Sequence, residues 1–388
     1  MPNGDGLLGN PSSTQSGLSV PIPGQNELFY LFTSDANENS LANGLRYSIV
    51  DMNLDGGLGD VTSTKNVLLH YPATEKISVI PHANNIDYWV IAHDWGTNNF
   101  LVYLITSSGL NTTPVISSVG SIHQATPGPH CCGNSVGYIK GSPNGSKLAL
   151  AIHADMIVEL FDFDRATGIV SNPITSNTFP EEPYGIEFSP DGTKLYVSTI
   201  YANSKIYQFD ITTPNFFNNP TVIASTTNKE YGSLMLAPDA KIYIALYAST
   251  TLNYLGVINN PNDAGIACNF IENGINLSTG KSIRGLPNMF YYNSYSSVIE
   301  NGMDHSLSVF PNPIVNNHLV YISGVLPKDV DVSIFDICGE KVFFKHLNNF
   351  TETFYMDIQN IDDGIYFLKV VQQSETKTVK LVIENNYK

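Results

Sequence analysis

Positive charge is scarce in this sequence. Lys and Arg together number 19 against 35 Asp and Glu, a formal net charge of −16 over 388 residues. A chain that gripped nucleic acid would need clustered cations to meet the phosphates, and an anionic membrane surface asks for the same, so neither is expected as the principal partner. Charge of either sign is thin, at 14% of residues, while 42% are hydrophobic and 11% aromatic. That balance excludes a disordered chain, which would be rich in charge and poor in apolar side chains. Cysteine is rarer still. Cys131, Cys132, Cys268 and Cys338 form no C-x-x-C pair, which is too sparse for a disulfide framework or a four-cysteine zinc site. No run of 18 apolar residues exists, so no transmembrane helix is expected. The opening MPNGDGLLGN has no basic start and no apolar stretch, so no signal peptide is visible in it. Glycine stretches such as GLGD lack a following helix, which removes a phosphate-binding loop.

What is present is turn-forming and polar, with 40 asparagines. Three segments align: SPNGSKLALAIH from Ser142, SPDGTKLYVSTI from Ser189 and APDAKIYIALYA from Ala237, with Pro143, Pro190 and Pro238 spaced 47 and 48 apart. In each, Pro sets φ at the first central turn position, Asn or Asp follows, and Gly closes the reversal in the first two copies. The third has Asp239-Ala240 instead. A second strand follows each turn unit, at Met156–Asp164, Ser204–Thr212 and Leu252–Asn260, with apolar residues alternating rather than recurring every 3.6. Looser relatives start at Phe29 and Tyr88, and PNMFYYN from Pro287 reads as a closing strand. About six repeats of roughly 47 to 60 residues, each with several short strands, predict an all-β chain built on a β-propeller.

The pattern changes near residue 296. Residues 296–305 read as a linker, and 306–388 as a small β-sandwich of five to seven strands, with hairpin turns at Cys338-Gly339 and Gln373–Thr376. Residues 1–305 hold 25 acidic and 12 basic side chains, a balance of −13, and 306–388 hold 10 and 7, a balance of −3. Gly364 is expected to turn the chain tightly before its strand. Tyr366 and Leu368 should face one side and Ile365 and Phe367 the other, with both sides covered.

Residues 307–385 resemble the type A C-terminal sorting domain of the type IX (Por) secretion system of Bacteroidota. The matching residues are Phe310-Pro311-Asn312-Pro313, the stretch Ile334–Val342 with Gly339, Gly364 with Tyr366 and the strand after it, and Lys380-Leu381-Val382-Ile383. The resemblance implies delivery to an outer-membrane translocon, then release or surface attachment, with the secretion machinery as a partner. Residues 1–295 look like the N-terminal propeller of gliding-motility-associated surface proteins of the same bacteria. The match rests on Met1–Leu18, Tyr47–Asn66, Leu160–Ile174, Pro183–Ser198 and Gly285–Phe290. That likeness implies seven blades in the complete family and an interaction role. It leads to the expectation that 1–295 lacks an N-terminal blade and that an export signal belongs upstream of Met1.

Candidate chemistry is thin. Asp51, Asn53, Asp55 and Asp60 have the oxygen-rich spacing of a calcium loop around Gly56, but Thr62 stands where a bidentate Glu belongs. An Asn/Asp/Gly hairpin turn is the plainer reading. Calcium is the single cofactor with a candidate loop. His123, His130, Cys131 and Cys132 offer soft-metal donors, though adjacent cysteines ill fit one tetrahedral ion. His93, Asp94, His153 and Asp155, with His82, fall near strand ends in neighbouring repeats and are the channel candidates for a lactonase-like hydrolase. Trp89, Trp95, Phe100 and Tyr103 are candidates for a sugar-stacking surface, though most strand aromatics are core and that is the plainer reading. No residue set reads as catalytic. The function read from the sequence is an exported protein, secreted or on the cell surface, whose propeller binds protein or glycan. An exported propeller hydrolase and a non-binding spacer are the alternatives.

Overall fold

The computed structural model describes residues 1–125, 133–201 and 203–288, and, further on, 308–310, 314–315, 319–323, 330–336, 339–347, 353–358, 361–372 and 375–384. Contacts divide the chain into two compact units, Met1–Ser294 and Tyr295–Lys388. The first is a β-propeller. Among its described residues five antiparallel sheets follow one another along the chain, spanning Gly17–His70, Ala73–Ser118, Ile139–Thr175, Glu182–Ser225 and Glu230–Asn276, with their main strands side by side in chain order. The apolar strands that mark the sequence period are the second strands of these five blades: Gln25–Ser34, Tyr88–Asp94, Lys147–Ile152, Lys194–Ile200 and Ile242–Tyr247. The repeat expected near residue 289 lies outside the described residues.

In the second, third and fourth blades the second strand is apolar because it is covered twice, by the blade before and the blade after. In Lys147–Ile152, Leu148, Leu150 and Ile152 pack with Trp89, Ile91 and Phe100 of the second blade. The alternate Ala149 and Ala151 pack with Ile186 and Phe188 of the fourth. Tyr196 faces Leu234 and Ile244 of the fifth blade, while its neighbours Leu195 and Val197 face back toward the third. Four apolar clusters thus fill the spaces between consecutive blades. The free Cys268 is buried in the last of them.

The second unit pairs a three-stranded sheet (Ser308–Phe310, Leu319–Ser323, Thr353–Asp357) with a five-stranded one. The latter runs Ile314–Val315, Glu375–Glu384, Gly364–Gln372, Val330–Phe335, Lys341–Leu347. Their common core holds Ile314, Val320, Ile322, Ile334, Met356 and Leu368. Pro311, Asn312, Pro313, Cys338 and the loop residues Gln373 and Ser374 lie outside the described residues. Two expectations change here. Gly364 does not turn the chain: it opens its strand opposite Ile383, without a positive φ. A Cβ there would sit 3.3 Å from the Tyr366 ring, so its smallness makes room for that ring. The strand is also covered on one face only, with Tyr366 and Leu368 buried and Ile365 and Phe367 exposed.

The three aligned turns share one geometry. Gly145 donates to the Ser142 carbonyl at 2.8 Å, Gly192 to that of Ser189 at 2.9 Å and Ala240 to that of Ala237 at 2.9 Å. All three donors are left-handed, at φ 72°, 71° and 61°. Glycine adopts this conformation freely, whereas Ala240 carries a Cβ that crowds its carbonyl oxygen, at a cost of about 1–2 kcal/mol. Ala240→Gly should therefore stabilise the propeller by about 1 kcal/mol, read as a raised urea midpoint with unchanged slope. Gly192→Ala in the matching turn should destabilise by a similar amount.

Candidate functional site

The first strands of the second to fifth blades contact one another in order around the axis. Two consecutive charged residues on one of them, Glu75 and Lys76 of Ala73–Pro81, are both buried. A regular strand would send them to opposite faces, and the register shift between Ala73 and Ile77 is what turns both inward. The Glu75 carboxylate accepts from the Thr14 amide and hydroxyl, each at 2.7 Å, from the Asn37 amide at 2.9 Å and from the Ser135 hydroxyl at 3.4 Å. Lys76 Nζ donates to the carbonyls of Asn134, Ser135 and Val136 at 3.1, 2.9 and 2.8 Å. Burial pushes the Glu75 pKa up and that of Lys76 down, and each charge opposes the shift of the other. Gln15 completes the axis. Its Oε1 accepts from the amides of Ile77 and Ile139 at 3.3 and 2.9 Å, and its Nε2 donates to the Ile139 carbonyl at 3.1 Å and to Asn288 Oδ1 at 3.2 Å.

Beside this network the segment 282–288 runs against the fifth blade. The Ser233 amide donates to the Arg284 carbonyl at 2.8 Å. A Cβ on Gly232 would stand 2.3 Å from that oxygen, so the approach requires glycine. The Arg284 guanidinium grips Glu230 with two bonds, at 2.6 and 3.0 Å. It also lies over the rings of Tyr201 and Tyr247, 5.3 and 4.6 Å from their centroids. Tyr201 holds φ at 66°, unusual for a bulky side chain and of the kind that clusters at functional sites. Around these groups opens a cavity of about 720 Å³, whose wall includes Ser12, Glu38, Tyr184, Tyr201, Tyr247 and Arg284. It offers aromatic faces, hydroxyls and the Glu38 carboxylate, which accepts from Ser12 Oγ at 2.9 Å. The buried Glu75 borders the cavity but already accepts four hydrogen bonds, so no lone pair is free to act as a base.

The residues singled out from sequence fall mostly elsewhere. His93 is buried, donates from Nδ1 to the Asp94 carbonyl at 2.8 Å and stacks on His123, centroids 3.7 Å apart. Asp94 bonds His70 Nε2 at 2.8 Å and Thr97 at 2.9 Å. The Asp155 amide donates to Asn134 Oδ1 at 3.0 Å. None of the four channel candidates lines the cavity; His153 lies behind its wall, edge-on to Tyr201 at 5.6 Å, with Nδ1 3.3 Å from the Pro183 carbonyl. His82 instead packs against Trp89. Trp89, Phe100 and Tyr103 are buried between blades and stack on no ligand surface; Trp95 is partly exposed.

Asp51 accepts from the Asn53 amide and so serves its own turn, and Asp60 accepts from the amides of Val61 and of the distant Asn3. Among the described residues no three His, Cys, Asp or Glu side chains, those of the Asp51–Asp60 loop included, are grouped to hold a metal ion. His130, Cys131 and Cys132 lie outside the described residues. The sequence reading passed over Glu75, Gln15 and Arg284, and one spelling as well. Gly133-Asn134-Ser135-Val136-Gly137 reads G-x-S-x-G, but it leads into the strand Ile139–Gly141 rather than a helix, and Ser135 is buried beneath Glu75. It is not a nucleophile elbow.

The stacked histidines have a consequence for stability. Among the described residues neither His93 Nε2 nor either ring nitrogen of His123 has a hydrogen-bond partner. Burial lowers the His93 pKa to about 3 and that of His123 well below its ordinary value, with Lys76 nearby adding to both shifts. Both rings are neutral in the fold, whereas the unfolded chain protonates them below about pH 6.5. Stability contributed by the pair is therefore present above about pH 6.5 and falls as the pH drops toward 3, by up to about 1.4 kcal/mol per unit for each ring. Urea midpoints measured from pH 8 to pH 4 should show this slope, and His123→Phe should flatten it.

The comparisons with known proteins bear on the two units differently. No curated protein matches the chain. Solved structures that align with it include a putative 6-phosphogluconolactonase from Bacteroides uniformis, at 11% identity and TM-score 0.44 over 90% of each chain. The periplasmic gluconolactonase PpgL of Pseudomonas aeruginosa aligns at 11% and 0.45 over 90% of each. A protein from Lactobacillus plantarum aligns at 12% and 0.45 over 91% of each. Residues 308–384 match the family described as secretion system C-terminal sorting domain. The sandwich at the end of the chain is thus a type IX secretion sorting domain, and it follows a β-propeller.

Proposed function

We propose that the chain is a binding protein, secreted or held on the cell surface, which the sorting domain sends through the type IX machinery and whose axial cavity takes a neutral glycan. The observation that carries the reading is the lining of that cavity. Tyr201 and Tyr247 provide ring surface, and Ser12 and Glu38 provide hydrogen-bonding groups. Sugar rings have an apolar face and a hydroxyl edge, and this mixture suits both. Arg284, already neutralised by Glu230, adds no free cation that would call for an anionic ligand. The hydrolase alternative needs a free base in the cavity, and the most buried carboxylate there is saturated by donors. A spacer needs no cavity, and nothing about that role accounts for the strained Tyr201.

The test is a glycan array probed with the full chain, followed by calorimetric titration of the glycans retained. Tyr201→Ala and Tyr247→Ala should each weaken binding about tenfold, the loss of one ring contact of about 1.4 kcal/mol, while the melting profile is kept. An array that retains nothing overturns the glycan reading. Lactone turnover that disappears with Glu38→Gln would favour the hydrolase instead.

A further inference from the structure

We infer that the outer face of the five-stranded sheet in the sorting domain is its docking surface for a protein of the export machinery, one that presents carboxylates around an apolar patch. This rests on the sorting reading above and names the side of the domain that is read. Strand register places the side chains. Lys341 pairs with Phe335, Phe335 with Phe367, and Phe367 with Lys380. One row across four strands thus reads Lys–Phe–Phe–Lys, about 14 Å long at the usual spacing between strands. The next row reads Phe344, Ser333, Lys369, Thr378. Phe344 is 54% exposed, Ile365 44% and Phe367 42%, and the Lys341 ammonium lies 4.9 Å over the Phe344 ring.

A solvated antiparallel face ordinarily alternates polar residues outward. Here the outward residues of Gly364–Gln372 include Ile365, Phe367 and Val371, with Lys369 the single charge among the four. Contiguous exposed aromatics mark interaction surfaces. The middle of this face carries positive charge. Among the described residues Lys341, Lys369 and Lys380 lie on this face with Asp331, which His346 holds at 2.5 Å, while Asp336 and Glu340 border the Phe335 and Lys341 end of the first row. A partner that meets the face must therefore bring apolar area and negative charge. A lipid surface would be met by cations and aromatics projecting from loops or an amphipathic helix, whereas this patch is a flat sheet with its phenylalanines flanked by lysines in register, a shape that suits a protein surface.

The test uses the full chain, supplied with an export signal, in a host with a working type IX system. Export is read as the ratio of chain outside the cell to chain in the periplasm. The double variant Phe344→Ser, Phe367→Ser and the separate variant Lys369→Glu, Lys380→Glu should each keep the parental melting profile and each lower that ratio at least tenfold. Should the serine variant fail to fold, the charge-reversed one reads the same face through side chains that contribute little to stability. Export of folded variants at the parental ratio overturns the docking face, while loss of export on deleting 306–388 would still uphold the sorting reading. Export that survives the deletion overturns both. Retention of the parent, but not the variants, by vesicles containing 30% phosphatidylglycerol would assign the face to lipid and overturn the protein partner.

Discussion

A ring of sheets creates a problem at its own centre. The inner strands turn an edge toward the axis, and the peptide groups along that edge need partners once water is excluded. Here the partners are side chains. Gln15 alone satisfies amides or carbonyls of two neighbouring blades, and Lys76 collects three carbonyls from the segment that leads into the third. The buried cation this requires is balanced by Glu75 beside it, and Glu75 in turn organises Thr14 and Asn37. A charge pair in such a site is worth having only when its remaining donors and acceptors are met. Seven hydrogen bonds meet them, and the positions of residues 13–15 and 134–136 depend on it.

That same network decides what the cavity is. Because Glu75 is spent on holding the segment around Thr14, the cavity is left with ring surface, hydroxyls and the Glu38 carboxylate. The other wall is set by close approach. Gly185 lies under Gly232, where a Cβ would come within 2.6 Å of the neighbouring carbonyl, and Gly232 lies under Arg284. Arg284, pinned by Glu230, fixes the planes of Tyr201 and Tyr247. A pair of rings held in this way loses little freedom when a ligand settles on it, and preorganisation of that kind is what makes a shallow polar site bind.

Much of the blade architecture was legible because it is local. The turn at Ser189 reads from Pro190-Asp191-Gly192 alone, and the strand after it is apolar because two blades cover it. The same double cover puts Trp89, Phe100 and Tyr103 in the core, the ordinary place of strand aromatics, although such a residue looks alike in sequence whether a ligand or a neighbouring blade faces it. The axis was not legible. Glu75 and Lys76 turn inward through a bulge that no periodicity announces, and Arg284 finds Glu230 across 54 residues. In the sorting domain the alternation around Phe367 was read correctly, but whether its second face is covered is a property of the sheet and not of the strand.

The exposed face of that sheet shows why net charge is a poor guide to recognition. The region 306–388 is acidic overall, with 10 acids against 7 bases. Yet Asp336, Glu340, Asp362 and Asp363 gather in the turn between Phe335 and Lys341 and in the approach to Gly364, at the end of the sheet where Gly364–Gln372 begins. Phe367 stands four residues beyond Asp363, about 13 Å along an extended strand, while charges in physiological salt are screened over about 8 Å. A partner poised over Phe367 therefore meets Lys369 and Lys380 and little of Asp362 and Asp363, while Asp336 and Glu340 border the Phe335 and Lys341 end of the row. What such a partner reads is the row set by strand register, and register is fixed by the core beneath it: slipping Gly364–Gln372 by one residue would send Leu368 and Val370 into water and bury Lys369. The folding of the domain and the face it displays are for that reason one constraint.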